Sequence, residues 1–194
     1  MRERCIRVLK VNGMSEHQIA DAAEICRMIT RIATQIVERN KGVMSLILVG
    51  IVRRGDILAR RLAAELKRLE GGEIPVGAID ITLYRDDLQL ASEMPLVQAS
   101  SIPFDINNKI IVLVDDVLYT GRTVRAALSE ILDFGRPQII QLAVLVDRVN
   151  RELPIGADFI GRKIPAARDE IIDVNLNETD GREGIYIKKR EETK

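Results

Sequence analysis

Between residues 19 and 36 the apolar positions Ile19, Ala22, Cys26, Ile29, Ile32, Ala33 and Ile36 recur at intervals of three, four or seven, the spacing of one face of an α-helix. Ser15 followed by Gln18 supplies a capping-box pattern ahead of that face. The reading is one amphipathic helix from Ser15 to Arg39, stopped by Asn40-Lys41-Gly42. The pattern then changes. Leu46-Ile47-Leu48-Val49-Gly50-Ile51-Val52 is unbroken, short and rich in β-branched residues, as a strand buried on both faces must be. Leu58, Leu62, Leu66 and Leu69 restore the helical interval until Gly71-Gly72.

The same alternation continues. Residues 76–83 have strand composition, and the polar stretch 84–103 after them is longer than most loops in a compact domain. Residues 110–114 and 139–146 predict two more buried strands, separated by a helix that carries Val124, Ala127, Leu128 and Ile131 on one face and ends at Gly135-Arg136-Pro137. Short candidate strands follow at 157–160, 171–175 and 185–188. Alternating strands and helices imply an α/β fold, a mostly parallel sheet flanked by helices, in a single domain over 1–194. Such folds bind ligands beyond the carboxyl ends of their strands, so the loops there hold the candidate chemistry.

Composition narrows the chemistry. With 46% hydrophobic residues the chain can bury one core, and 29 basic against 29 acidic residues exclude a uniformly cationic nucleic-acid binder and a polyacidic disordered chain. Aromatic residues are 3% and Trp is absent, so any RNA contact depends on Arg and Lys rather than on stacking. Cys5 and Cys26 form no CxxC pair and His17 is the only histidine, which argues against structural zinc and His-based catalysis. No signal-peptide pattern or membrane-length apolar run is present, and the reading is a reduced, cytoplasmic protein without membrane contact.

The strand 110–114 runs straight into Asp115-Asp116-Val117-Leu118-Tyr119-Thr120-Gly121-Arg122-Thr123 and then into a helix. Two carboxylates thus stand at a strand's carboxyl end. The turn behind them has a glycine and two hydroxyl side chains at a helix N-terminus, where converging N–H groups and the helix dipole favour a phosphate. GxxxxGK[ST] and GxGxxG are both absent, which removes the main support for ATPase and dinucleotide readings. The Asp pair by itself reads equally well as a solvated turn or as the magnesium corner of another phosphate enzyme.

The full string VDDVLYTGRT resembles the phosphoribosyl-diphosphate signature of the type I phosphoribosyltransferases. GIVRRGDILARRLA at 50–63, GAIDITLYRDDL at 77–88 and the stretch 135–165 are similar to the bacterial pyrimidine operon attenuation regulators, which are uracil phosphoribosyltransferases and RNA-binding proteins. The resemblance implies a type I phosphoribosyltransferase-like fold with a mobile loop over the active site, and formation of UMP and diphosphate from uracil and phosphoribosyl diphosphate. It also implies UMP-responsive binding of pyrimidine-operon leader mRNA and a homo-oligomer, dimer or tetramer. An enzyme with RNA regulation weakened or lost, or one that salvages a different nucleobase, is the alternative.

By position, the resemblance implies that Asp115 and Asp116 face the ribose hydroxyls, directly or through water on Mg²⁺, and that Thr120, Gly121, Arg122 and Thr123 hold the 5′-phosphate. It assigns Arg53, Arg54 and Gly55 to a diphosphate loop with a non-proline cis peptide, although Arg53 stands where the family has a small hydroxyl residue. Arg85 would contact the diphosphate from the closing loop, and Val146, Asp147 and Arg148 would hold the base. For RNA it implies Thr30, Arg31, Arg151, Arg162 and Lys163. Thr34, Asn150 and Gly156 depart from two histidines and an arginine of that face, so weaker RNA binding is expected.

Overall fold

The computed structural model describes residues 8–11, 14–81, 100–167 and 169–190. In chain order these form β1 (Val8–Val11), β2 (Met14–Ala20), α1 (Ala22–Asn40), β3 (Leu46–Ile51), α2 (Arg54–Glu70), β4 (Val76–Ile79), β5 (Ile110–Leu118), α3 (Arg122–Phe134), β6 (Ile139–Asp147), β7 (Phe159–Lys163), β8 (Glu170–Asn175), α4 (Asn177–Asp180) and β9 (Gly184–Arg190).

Five strands make a parallel sheet in the order β4-β3-β5-β6-β7. Alternate side chains of the central strands serve two cores. Leu46, Leu48, Val112, Val114, Ala143 and Leu145 pack with α1 and α2 on one face. Ile47, Val49, Ile111, Leu113, Leu142 and Val144 pack with Val124, Ala127 and Ile131 of α3 on the other. This two-sided burial is why β3 and the first half of β5 read as unbroken apolar runs. From β3 the chain crosses outward to β4, whereas from β5 it crosses the other way to β6, so the strand order reverses between β3 and β5. A crevice opens at the carboxyl ends of strands at such a reversal.

The remaining strands form an antiparallel sheet in the order β1-β2-β9-β8, here called the hood. Its apolar residues Ile172, Val174 and Ile185 join the core of α1 and α2. The hood corrects the expected helix start. Residues 14–20 are strand β2, paired to β9 with Glu16 opposite Lys188 and His17 opposite Ile187, so long-range pairing overrides the local Ser15/Gln18 pattern. The helix is capped instead by Asp21, which accepts from the Glu24 N–H at 2.8 Å while the Glu24 carboxylate accepts from the Asp21 N–H at 3.2 Å. Among the described residues no helix is long and apolar enough to cross a membrane.

Candidate active site

Three loops meet at the reversal point. After β3 the peptide Val52-Arg53 is cis, as the resemblance implied, and α2 begins at Arg54. The chain turns here without side chains in the way. A Cβ on Gly55 would stand 2.4 Å from the Val114 carbonyl oxygen, and one on Gly50 would stand 2.3 Å from the Asp56 Cα. Both positions therefore admit only glycine, and the first turn of α2 rests directly on the backbone of β5.

β5 carries Asp115 and Asp116 at its end. Asp115 is buried, and its Oδ1 accepts the Asp116 N–H at 2.9 Å. Asp116 Oδ1 accepts the Val117 N–H at 2.7 Å, and its Oδ2 lies 3.7 Å from Arg54 Nη1. Burial pushes the Asp116 carboxyl above its usual range, against the pull of the Arg54 guanidinium. Arg54 is itself held by the hood: Nε and Nη2 donate to the Asp180 carboxylate at 3.1 and 2.9 Å, and Asp173 stands 3.6 Å away. Asp180 is correspondingly held below the usual carboxylate range by Arg54.

Beyond β5, Tyr119 and Thr120 lead to Gly121, whose φ of 93° puts it in the left-handed region as the N-cap of α3. The Thr120 hydroxyl accepts the Arg122 N–H at 3.3 Å, and the Thr120 carbonyl accepts the N–H groups of Glu152 and Leu153 at 3.1 and 3.0 Å. Arg122 pairs with Glu152 at 2.7 Å across the rim. These contacts hold an open N-terminal turn suited to an oxyanion.

The third loop follows β6. Asp147 and Arg148 are buried; the Asp147 carboxylate accepts the Val149 N–H at 2.8 Å and also a bond from Arg151 Nη2. Val149 has a φ of 72°, a left-handed conformation costly for a β-branched residue. The Arg148 guanidinium stacks on the Tyr119 ring at 3.9 Å, donates to the Ala167 carbonyl at 2.5 Å, and keeps its buried Nε without a partner. The segment after β6 and the turn after β5 thus touch through Tyr119.

The structure brings Arg54, Gly55, Asp115, Asp116, Thr120, Gly121, Arg122, Thr123, Val146, Asp147 and Arg148 to one end of the sheet. Arg53 is exposed at the start of α2, and its side chain makes no capping bond. Arg85 lies outside the described residues. Four of the RNA candidates sit elsewhere, along α1 and β7. Thr30 bonds to Glu65, Arg31 donates to the Gly161 carbonyl, and Arg162 donates to the Ile19 carbonyl at 2.6 Å and pairs with Glu24 at 3.2 Å. Lys163 is exposed. Arg151 is separate from them and lies between the turn at 119–121 and the end of β6. Sequence reasoning missed Asp173 and Asp180, which reach Arg54 only because the hood folds over the sheet.

Asp115 and Asp116 offer hard carboxylate oxygens of the kind Mg²⁺ takes, directly or through water. Among the described residues no group of three or more His, Cys, Asp or Glu is arranged to hold a metal. An ion here would therefore complete its shell with substrate and water oxygens.

Residues 15–178 match the phosphoribosyl transferase domain model. The chain is 58% identical over 175 residues to the bifunctional protein PyrR of Roseiflexus sp. (strain RS-1), covering 90% of this chain and 96% of that one. It is 54% identical over 172 residues to the Clostridioides difficile protein of the same name, covering 89% and 97%. A Trypanosoma cruzi hypoxanthine phosphoribosyltransferase superposes with a TM-score of 0.69 at 20% identity, over 88% of this chain and 93% of that one. A Bacillus anthracis hypoxanthine-guanine phosphoribosyltransferase does so with a TM-score of 0.65 at 16% identity, over 93% and 98%. At those identities the likeness is one of fold.

Proposed function

The chain belongs to the phosphoribosyl transferase domain family and within it to the bifunctional PyrR proteins, and from that premise we propose that it is a uracil phosphoribosyltransferase that also binds pyrimidine-operon leader RNA in response to UMP. The observation that carries the enzymatic half is the juxtaposition of the Asp115-Asp116 pair with the Thr120–Thr123 turn at the point where the strand order reverses. One feature suits a ribose diol and the other its 5′-phosphate.

In this reading the turn anchors the phosphate and Arg54 draws charge from the diphosphate. Mg²⁺ held with the substrate by Asp115 and Asp116, directly or through water, would supply positive charge to neutralise the leaving diphosphate. Asp115 and Asp116 stand under the ribose as its anomeric carbon passes through an oxocarbenium-like state, where fixed negative charge is stabilising. Asp116 keeps one oxygen toward Arg54 and the other on the Val117 N–H, so its orientation is set before substrate arrives. Val146, Asp147 and Arg148 border the base, and Arg85 completes the diphosphate contacts by the family resemblance. The homo-oligomer, dimer or tetramer, and the cytoplasmic location belong to the same reading. The test is diphosphate release with uracil, hypoxanthine and guanine in turn; equal turnover with a purine overturns the base assignment.

A second reading, an enzyme with weakened RNA binding, is favoured by a specific observation. Arg151 engages every guanidinium nitrogen within the chain, Arg162 donates to the Ile19 carbonyl and Glu24, exposed Arg31 gives one nitrogen to the Gly161 carbonyl, and Thr34, Asn150 and Gly156 stand where relatives of the resemblance carry other side chains. A salt titration of hairpin affinity with and without UMP separates the two readings.

A further inference from the structure

We propose that Arg151 is the positioning residue that aims the phosphate turn and locks it to the base strand, rather than a contact for RNA. The inference deepens the phosphoribosyltransferase reading and rests on it.

Arg151 has only a fifth of its side chain exposed, and every arm of its guanidinium is engaged. Nε donates to the Ile155 carbonyl at 2.9 Å. Nη1 donates to the Tyr119 carbonyl at 2.8 Å, with the Asn150 and Leu118 carbonyls at 3.2 and 3.4 Å. Nη2 reaches the Asp147 carboxylate, which also caps the Val149 N–H. One planar group thus bonds the end of β5, the end of β6 and the segment that returns toward β7.

The consequence for phosphate follows from peptide geometry. In a trans peptide the C=O and the following N–H point to opposite sides. With the Tyr119 carbonyl pinned by Arg151, the Thr120 N–H is turned away from Arg151. With the Thr120 carbonyl pinned by the Glu152 and Leu153 N–H groups, the Gly121 N–H is turned likewise. A Cβ on Gly121 would stand 3.3 Å from the Leu153 Cβ, so the segment 151–153 is packed against the turn as well as bonded to it. The wall of the phosphate site is therefore built from the residues that follow the base strand, and Arg151 is its rivet. A lysine is a single flexible point charge and does not reproduce a fork with acceptors on three sides.

The test compares wild type, Arg151→Lys and Arg151→Gln. The readouts are kcat and the ratio of uridine to UMP dissociation constants, which isolates the phosphate's share of binding and stays put if Arg151 only stabilises the fold. The proposal expects a fall of about 10²-fold in kcat, as for a displaced binding group, and at least a tenfold loss in the ratio, in both variants. Hairpin affinity without UMP, and its salt slope, stay near wild type. Partial recovery of Arg151→Ala activity by added guanidinium is also expected. Restoration of activity and ratio by Lys, with the salt slope lowered by about one in Gln, overturns the proposal in favour of an RNA phosphate contact. An unchanged ratio in a folded variant overturns it as well. Should the Arg151 variants fail to fold, Asp147→Asn loosens one arm alone, and the same ratio is read there with a smaller expected loss. If the wild type ignores uracil, the functional reading fails, while the ratio, read with IMP and inosine, still tests Arg151.

Discussion

The Arg54 guanidinium is gripped by the Asp180 carboxylate, Nε to Oδ2 at 3.1 Å and Nη2 to Oδ1 at 2.9 Å, while its remaining nitrogen lies 3.7 Å from Asp116. Hood and acidic pair share one cation. A diphosphate that recruits Arg54 has to draw it from Asp180, so Asp180→Asn, which removes the competing charge, is expected to tighten phosphoribosyl diphosphate binding by roughly 1 kcal/mol. Calorimetry with the substrate and Mg²⁺ checks this. Weaker binding would mean that Asp180 orients Arg54 for the substrate instead of competing for it.

Arg54→Ala is expected to weaken phosphoribosyl diphosphate more than UMP, because UMP lacks the diphosphate. The same change leaves Asp116, Asp173 and Asp180 without their shared cation and should lower the urea midpoint, by an amount equivalent to about 1–2 kcal/mol for this partly exposed group. Equal loss of both ligands would remove Arg54 from the diphosphate.

For Asp116→Asn the expected result is a native-like melting temperature with kcat reduced on the order of 10²-fold, the cost of losing one preorganised charge. The amide keeps an oxygen for the Val117 N–H, so the fold retains that bond. A change in kcat below about twofold would exclude an electrostatic role of that size.

Glu130, on α3, is buried, Ser100 donates to its Oε1, and Oε2 has no partner among the described residues. Burial raises its carboxyl above the usual value, and the charges of Asp80 and Asp133 add to the rise. The folded protein then holds this proton more tightly than the unfolded chain, so stability is lost as pH rises from about 4.3 through the raised value. Glu130→Gln removes that penalty. Its urea unfolding should show a gain in stability over wild type at pH 7.5 that vanishes below about pH 4. A variant less stable than wild type at pH 7.5 would contradict this account.

Gly156 has open space around it: a Cβ there would meet nothing within 4 Å. Gly156→Arg is therefore accommodated, and tighter binding of a pyrimidine-operon hairpin with a salt slope steeper by about one is expected if the new cation reaches a phosphate. An unchanged slope would mean that RNA does not pass this loop.

How much of this could be read from the chain follows from where the physical constraint lies. β3, β5 and β6 are covered on both faces by helices, and their unbroken apolar runs announce it. The start of α1 was harder, because Ser15/Gln18 and Asp21/Glu24 both satisfy the capping pattern and only pairing with β9 selects the second. The Asp115-Asp116 pair and the Thr120–Thr123 turn are contiguous and legible as chemistry. Asp180 is 126 positions from Arg54, and no local pattern joins them. The resemblance implies Arg151 as an RNA contact, and nothing local in the sequence announces its bonds to the Ile155 and Tyr119 carbonyls.

The contact of Gly55 with the Val114 carbonyl has a bearing on how such a protein can diversify. Main chain meets main chain there, so this contact offers no side chain to exchange, and a substitution at Gly55 would break it before altering it. The loop after β6 differs, since its shape depends on side chains such as Arg148 and on the costly backbone of Val149. Mutational drift is therefore channelled: the loop after β6 can be reshaped by small steps while the seating of α2 on β5 is inherited unchanged.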